Sequence, residues 1–446
     1  MRRTSKFALA ALMTELPTIA EAVERIRRGE LTPVDLVEHC LARIEEFDEQ
    51  VRAWVLVDTD GARREAQRLT TLAQRGEFVG PLHGIPIGIK DIIDVVGMST
   101  RAASPLRMDF PPAQDDAPVV AALRDAGAII LGKTVTTEWA CFDPPPTRNP
   151  WNLNHTPGGS SSGSAAAVAM GMCMAALGTQ TGGSIIRPAA YCGVCGLKPT
   201  YQYFPKEGVA PVSFHLDHVG PLARCADDLR AMYFAMMRRT WPDKFRTSTP
   251  RWCRLDEFFL EQAGPDVLQR YEDALGKLGD ATWENAEPLP ASFANVHKHH
   301  WTIMAVDAAQ VHGEAYEKSP EQFSPKVAAL IQEGLATSTM EYATALRHKH
   351  EFFLQMDRFM DPPVLLVMPS TPTTAPGPET TGDAKFNSPW SYCGRPAVTI
   401  PCGLDEQALP VGLQIVGAHH CERELLSAAV WCEERLGSLA YDGLPK

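Results

Sequence analysis

Val119-Val120-Ala121-Ala122-Leu123-Arg124-Asp125-Ala126, followed at once by Ala128-Ile129-Ile130-Leu131, is the stretch on which the fold turns. Val119 to Ala126 reads as a helix. Ala128 to Leu131 is short, apolar and β-branched, as expected of a strand covered on both faces. Upstream, Ile85-Pro86-Ile87-Gly88-Ile89-Lys90 has the same character and ends on a lysine. Strands alternating with helices predict an α/β protein, with one compact domain around a large sheet.

Working outward, residues 16–76 read as helices. Thr32-Pro33-Val34-Asp35 is a helix start, with Thr32 as cap, Pro33 at the first helical position and Asp35 reaching back. Ala62 to Gln74 is a second helix. Ser164 to Met170 is a small-residue helix, and Cys173 to Leu177 a buried strand. Residues 221–360 read as mostly helical and more polar. Val364 to Met368, Ala397 to Pro401 and Val411 to Val416 read as strands, Pro369 to Pro389 as a surface loop, and Glu422 to Arg435 as a closing helix.

The 446 residues, 45% hydrophobic and 22% charged, can form a sizeable core. A net charge of -12 argues against a nucleic-acid or anionic-membrane surface as the main partner, because such surfaces are met by clustered Lys and Arg. The partner expected is a small molecule, and a homodimer stays open. The 11 cysteines are scattered through apolar contexts and read as reduced thiols of a cytoplasmic protein. Met1-Arg2-Arg3-Thr4-Ser5-Lys6 and the apolar Phe7 to Met13 faintly resemble a signal peptide, but no small-residue cleavage site follows. The longest apolar stretch, Ala165 to Leu177, is shorter than the ~20 residues that span a bilayer.

Three features carry chemistry: Lys90 at a strand end, the turn Gly158-Gly159-Ser160-Ser161-Ser162-Gly163, and the turn Thr179-Gln180-Thr181-Gly182-Gly183-Ser184. Glycines before a serine let the backbone turn sharply and free N–H groups to point at one spot, as an oxyanion hole requires. Taken alone, the same stretch reads more readily as an ordinary tight turn near a sheet edge. A nucleophilic serine needs a base. No histidine stands in a suggestive context, since His297-Lys298-His299-His300 and His348-Lys349-His350 lie in polar helical stretches. A lysine serves if burial keeps it neutral, and Lys90 follows three isoleucines; the alternative is a lysine paired with Asp91 or Asp94 in solvent.

Other patterns are weaker. Gly159-Ser160-Ser161-Ser162-Gly163 fits the Gly-x-Ser-x-Gly elbow centred on Ser161, but loop sequence precedes it where a strand is required. Cys192-Gly193-Val194-Cys195 has no second pair at zinc-ligand spacing, and His348 and His350 do not share a helix face. No metal site and no cofactor is expected.

In combination, Gly-Ile-Lys-Asp, Gly-Gly-Ser-Ser-Ser-Gly-Ser, Thr-Gly-Gly-Ser-Ile-Ile-Arg-Pro-Ala and Gly-Leu-Lys-Pro-Thr resemble the amidase signature family. The likeness runs from about Gly80 to Arg224 and resumes at Gly394-Arg395-Pro396-Ala397 through Gln414. It implies a central twisted mixed β-sheet covered by α-helices, in one domain spanning 1–446. The implied divisions are N-terminal helices (16–76), a catalytic signature core (80–224), a variable helical substrate region (226–360), and C-terminal strands and a helix (361–446).

The resemblance also implies a Ser–cis-Ser–Lys triad. Lys90 matches the base, Ser160 the bridging serine beside a cis bond, and Ser184, 24 positions on, the nucleophile. Backbone N–H groups of Thr181, Gly182, Gly183 and Ser184 match the oxyanion hole. The implied activity is hydrolysis of a C–N bond in a small amide, urea-like or carbamate substrate through an acyl-enzyme. The alternative is the amidase-like component of a glutamine-dependent amidotransferase. Two departures stand out. Gln180 occupies a position where many members carry Asp, and Arg187 sits three rather than two positions after the nucleophile. Ser-Ile-Ile-Arg-Pro-Ala-Ala-Tyr-Cys-Gly resembles the malonamidase and biuret-type branch, which implies that Arg187 can hold a carboxylate or polar end of the substrate; the alternative, equally open, is a structural arginine pairing an internal carboxylate.

Overall fold

The computed structural model describes residues 16–239, 251–279, 283–285, 288–360, 364–437 and 439. The signal-like segment Phe7 to Met13 lies outside them. The described residues form a single α/β domain around an 11-stranded mixed sheet, in the order β1-β3-β2-β4-β6-β5-β10-β11-β9-β7-β8. The strands are β1 (Trp54–Val57), β2 (Pro86–Lys90), β3 (Ile129–Thr134), β4 (Ala175–Gln180), β5 (Cys195–Lys198), β6 (His218–Ala223), β7 (Arg251–Arg254), β8 (Trp283–Asn285), β9 (Val364–Pro369), β10 (Ala397–Leu404) and β11 (Pro410–Val416). No helix among the described residues is long and apolar enough to cross a membrane.

The expected elements form for the expected reasons. The deciding stretch is α4 (Pro118–Asp125) running into β3, whose six residues are all buried. In α2 (Pro33–Val51), Thr32 Oγ1 accepts from Asp35 N at 3.1 Å while Thr32 N donates to Asp35 Oδ2 at 2.9 Å. Such caps contribute about 0.5–2 kcal/mol. The remaining helices of the N-terminal segment are α1 (Ile19–Arg27) and α3 (Thr59–Gln74). Helix α5 (Ser162–Ala169) is small-residue throughout because it lies against the sheet: a Cβ on Gly163 would come within 2.2 Å of Ala53 O.

Four regions depart from expectation. β5 and β6 answer to no expected strand, and Pro221 to Ala223 at the end of β6 falls where helix was expected. The N-terminal helices enclose β1, an edge strand whose Val55 and Leu56 are exposed, so no buried alternation marks it. The region 226–360, helical in α7 (Ala226–Met236), α8 (Pro265–Lys277), α9 (Val296–Lys318), α10 (Pro325–Ala336) and α11 (Thr339–Phe359), also supplies β7 and β8. These strands are four and three residues long and owe their state to parallel pairing with β9 and each other. Pro369 to Pro389 is not a surface loop along its length: Ser370, Thr371, Thr381 and Asn387 are buried. Their polar atoms pair internally, as where Asn387 Nδ2 donates to Ser370 O and Gln414 Oε1. The segment leads into the short α12 (Ser388–Tyr392).

Strands β2 and β4 are parallel neighbours, with Ile89 opposite Leu177. Their C-terminal ends, Lys90 and Thr179-Gln180, therefore meet at one edge of the sheet, the edge where open parallel sheets place their ligands. Strand β4 runs three residues beyond the expected Leu177, so the Gly-rich turn proper begins at Thr181.

Candidate active site

Lys90 is fully buried, and its Nζ lies 2.7 Å from Ser160 Oγ and 2.8 Å from Thr179 Oγ1. No carboxylate stands within 4 Å of it among the described residues. The solvent-facing pair with Asp91 or Asp94 does not form: Asp91 pairs instead with the buried Lys133 at 3.0 Å. Burial pushes the Lys90 pKa well below the usual lysine value, only partly offset by the Asp217 carboxylate. A neutral amine has a lone pair to accept the Ser160 proton and an N–H to give Thr179.

The peptide bond between Gly159 and Ser160 is cis, on the N side of Ser160. Gly158 turns the chain into it at φ 80°, a region that favours glycine. Ser161 fastens this turn to the next. Its Oγ donates to Thr179 O and accepts from Thr179 N, both at 3.2 Å, and its N–H donates to Ser184 O at 3.2 Å. Ser161 is fully buried and occupied in this way, which answers the elbow reading.

Ser184 lies in the wall of a cavity of about 690 Å³ that also takes in Thr181, Gly182, Gly183 and Arg187. Among the described residues, no backbone N–H from Thr181 to Ser184 donates to a protein acceptor. The turn is held from outside. His300 Nε2 donates to Thr181 O at 3.0 Å, and burial lowers the His300 pKa to about 4, which keeps the ring neutral. Thr181 Oγ1 donates to Asp217. At Gly183 the requirement is a close approach and not a positive φ, because a Cβ there would lie 2.6 Å from Asn387 Oδ1.

Gln180 shows what its departure from Asp does here. Its Oε1 accepts from Ile185 N at 2.9 Å and Ile186 N at 3.0 Å, at the start of α6 (Ile186–Tyr191). Its Nε2 donates to Ser391 Oγ at 3.0 Å, and that hydroxyl donates to Gly182 O at 2.8 Å. A carboxamide accepts on one side of the turn and donates on the other; a carboxylate only accepts.

Residues 35–426 match the family described as Amidase. The chain belongs to the amidase family. A putative amidase AmiD of Mycobacterium tuberculosis is 30% identical over 443 residues, covering 92% of each chain. The glutamyl-tRNA(Gln) amidotransferase of Roseiflexus castenholzii has a chain that is 34% identical over 470 residues, covering 92% of this chain and 94% of its own. A solved amidase structure superimposes with a TM-score of 0.87 at 32% identity, over 94% of this chain and all of that one. An inhibitor-bound structure from an s-triazine catabolic enzyme complex superimposes with a TM-score of 0.86 at 28% identity, over the same shares.

In this amidase Arg187 lines the cavity, but most of its donors are engaged. Nη1 donates to Gly382 O at 2.8 Å; Nη2 donates to Gly159 O at 2.7 Å and Thr381 Oγ1 at 3.3 Å. Nε is buried without a partner. Both two-pronged faces of a guanidinium use Nη2, so neither is free; one Nη1 N–H and the buried Nε N–H remain without a protein acceptor.

Motif reading misses several residues. Thr179 stands out in the sequence only as part of a Gly-rich turn. His297 and His300, members of a polar helical stretch by sequence, line the cavity together with Trp301 and Met304. Positions 297, 300, 301 and 304 on α9 have the i, i+3, i+4, i+7 spacing of a single helix face, and that is the available signal. Trp390 and Phe352 are fully buried core. Cys192 and Cys195 are buried free thiols, like most of the eleven. His348 bonds Tyr392 through Nδ1 at 2.9 Å and Ser292 O through Nε2 at 3.1 Å.

Proposed function

We propose that the chain is an amidohydrolase that cleaves a small amide, urea-like or carbamate substrate through a Ser184 acyl-enzyme, with Ser160 and Lys90 as its proton relay. The observation that carries this is Lys90: a buried, uncharged-prone amine 2.7 Å from Ser160 Oγ, on a turn tied by Ser161 to Ser184. In this reading Lys90 takes the Ser160 proton, Ser160 takes that of Ser184, and Ser184 Oγ bonds the substrate carbonyl carbon. The oxygen, now negative, faces the N–H groups of Thr181 to Ser184, an arrangement whose donors cost no reorganisation during reaction. The relay returns the proton to the nitrogen as the C–N bond breaks, and water cleaves the ester by the same steps in reverse.

Arg187 donates a single charge-assisted hydrogen bond to a polar end of the substrate. The Ser-Ile-Ile-Arg spacing supports placing the chain with the malonamidase and biuret-type branch, and eleven unpaired thiols support a cytoplasmic setting. Likeness to the glutamyl-tRNA(Gln) amidotransferase chain supports a second reading, in which this chain works within a transamidating assembly. The test is to react the purified chain with a fluorophosphonate, map the adduct, and assay short amides and carbamates with no partner present. An adduct on Ser184 and turnover by the chain alone are expected. An adduct elsewhere would overturn the nucleophile, and activity only on adding partner proteins would favour the assembly.

A further inference from the structure

The cavity is two-sided in character. Near Ser184 and Arg187 it is polar. Its lining also includes an apolar group: Trp301 and Met304 from α9, Phe142 and Ala140 from the loop after β3, and Val212. Trp301 and Phe142 stand with ring centroids 5.2 Å apart and planes inclined by 32°. Neither ring is fully buried, so their surface is available to a ligand rather than consumed by the core. The wall is fixed in place from behind. Asp143, next to Phe142, accepts from Ser324 Oγ at 2.7 Å and Lys326 N at 3.0 Å at the start of α10, and Glu138 accepts from Ser324 N at 2.8 Å.

We infer that the substrate is an amide carrying an aryl or branched-alkyl group, whose apolar part lies against Trp301, Phe142 and Met304. This rests on the amidohydrolase reading and narrows it. A volume of about 690 Å³ exceeds what acetamide or urea would fill and sits within the ~300–1,000 Å³ of small-molecule pockets. Apart from Arg187, the charged lining residues are Asp383 and Lys385, which pair with each other at 3.4 Å, and burial holds His300 neutral. Aromatic surface against aromatic rings gains from both apolar burial and ring geometry.

The experiment measures binding and turnover separately. Calorimetry on the Ser184→Ala protein compares acetamide with phenylacetamide and N-benzylacetamide, and wild-type kinetics use the same three compounds. The better aryl amide should bind at least about tenfold more tightly than acetamide. Trp301→Ala and Phe142→Ala, each checked for an unchanged melting temperature, should shrink that ratio several-fold. Equal affinity for acetamide and both aryl amides, or a ratio untouched by both substitutions in folded protein, overturns the inference. Wild type that binds aryl amides with the expected ratio but hydrolyses none of the three keeps the apolar contact with Trp301 and Phe142 and overturns the amidohydrolase reading, and with it the claim that the aryl amide is a substrate. Acetamide turnover with no aryl preference does the reverse.

Discussion

The cavity wall that carries Ser184 and the wall that carries Trp301 are built by different means. On the first, most neighbours are committed. Ser161 joins two turns, Gln180 braces the turn from both sides, and Arg187 bridges Gly159 to Gly382. On the second, one face of α9 presents side chains whose packing against Phe142 leaves ring surface open. The first wall tolerates almost no change of residue type, because backbone N–H groups must point at one place. The second requires only a shape and an apolar character, which many residues supply. On the proposed reading, the chemistry belongs to residues 80–224 and the choice of substrate to α9 and the loops lining the same cavity.

If that division is right, the largest effects lie in the first wall. Ser184→Ala should lower kcat/KM by about 10⁴-fold or more while the melting temperature holds, since only a hydroxyl is lost. Steady-state kinetics and calorimetric melting check both halves, and residual activity within tenfold of wild type would break the assignment. Gln180→Leu should come next. Ile185 N and Ile186 N lose their acceptor at about 1–3 kcal/mol each, so the melting temperature and kcat should fall together. A loss confined to KM would move Gln180 to the substrate side.

Arg187→Ala sharpens the comparison, because Arg187 belongs to the first wall yet reaches the cavity. Loss of one charged hydrogen bond, about 1.5–3 kcal/mol, should raise KM for a malonamic-type acid roughly tenfold or more, and by less for a neutral amide. Equal losses on both would make it a brace alone. Smallest is Asp143→Ala, which frees the Phe142 loop from α10. It should raise KM for an aryl amide a few-fold with kcat nearly constant, and a large fall in kcat would show that the two walls are not separable. EDTA should change nothing, and activity lost in chelator and restored by zinc would contradict the relay.

Legibility in the sequence follows the same contrast. β2 and β3 are readable because burial on both faces leaves a short apolar run, and α4 because its buried Val119, Val120, Ala122 and Leu123 recur along one side of a helix. Lys90, Ser160, Ser184 and the four-residue turn are readable because glycines and serines at fixed spacing are rare enough to be a resemblance. β1, β7 and β8 are not, since a three- or four-residue edge strand has no periodicity and is created by its neighbour. His297, His300, Trp301 and Met304 are visible as one helix face, but among charged and polar residues nothing marks that face as lining a cavity rather than meeting solvent. Pro369 to Pro389 misleads because Pro, Thr and Gly mark irregular backbone, and irregular backbone is buried when its polar atoms are paired, as at Asn387.

The central claim is that Lys90 acts as a base, and the pH dependence of kcat/KM in wild type and Lys90→Glu tests it most directly. Burial holds the lysine pKa well below its usual value. The protonated amine cannot accept from Ser160, so activity is lost as pH falls through that pKa and rises along a single ionisation above it. Lys90→Glu should lose several orders of magnitude, and its remaining activity should show the rising limb displaced to lower pH, because a carboxylate has the lower intrinsic pKa. Lys90→Ala should leave no such limb. A limb at the same pH in wild type and Lys90→Glu, or a Lys90→Ala protein with a near-normal rate, would show that Lys90 positions Ser160 without taking its proton.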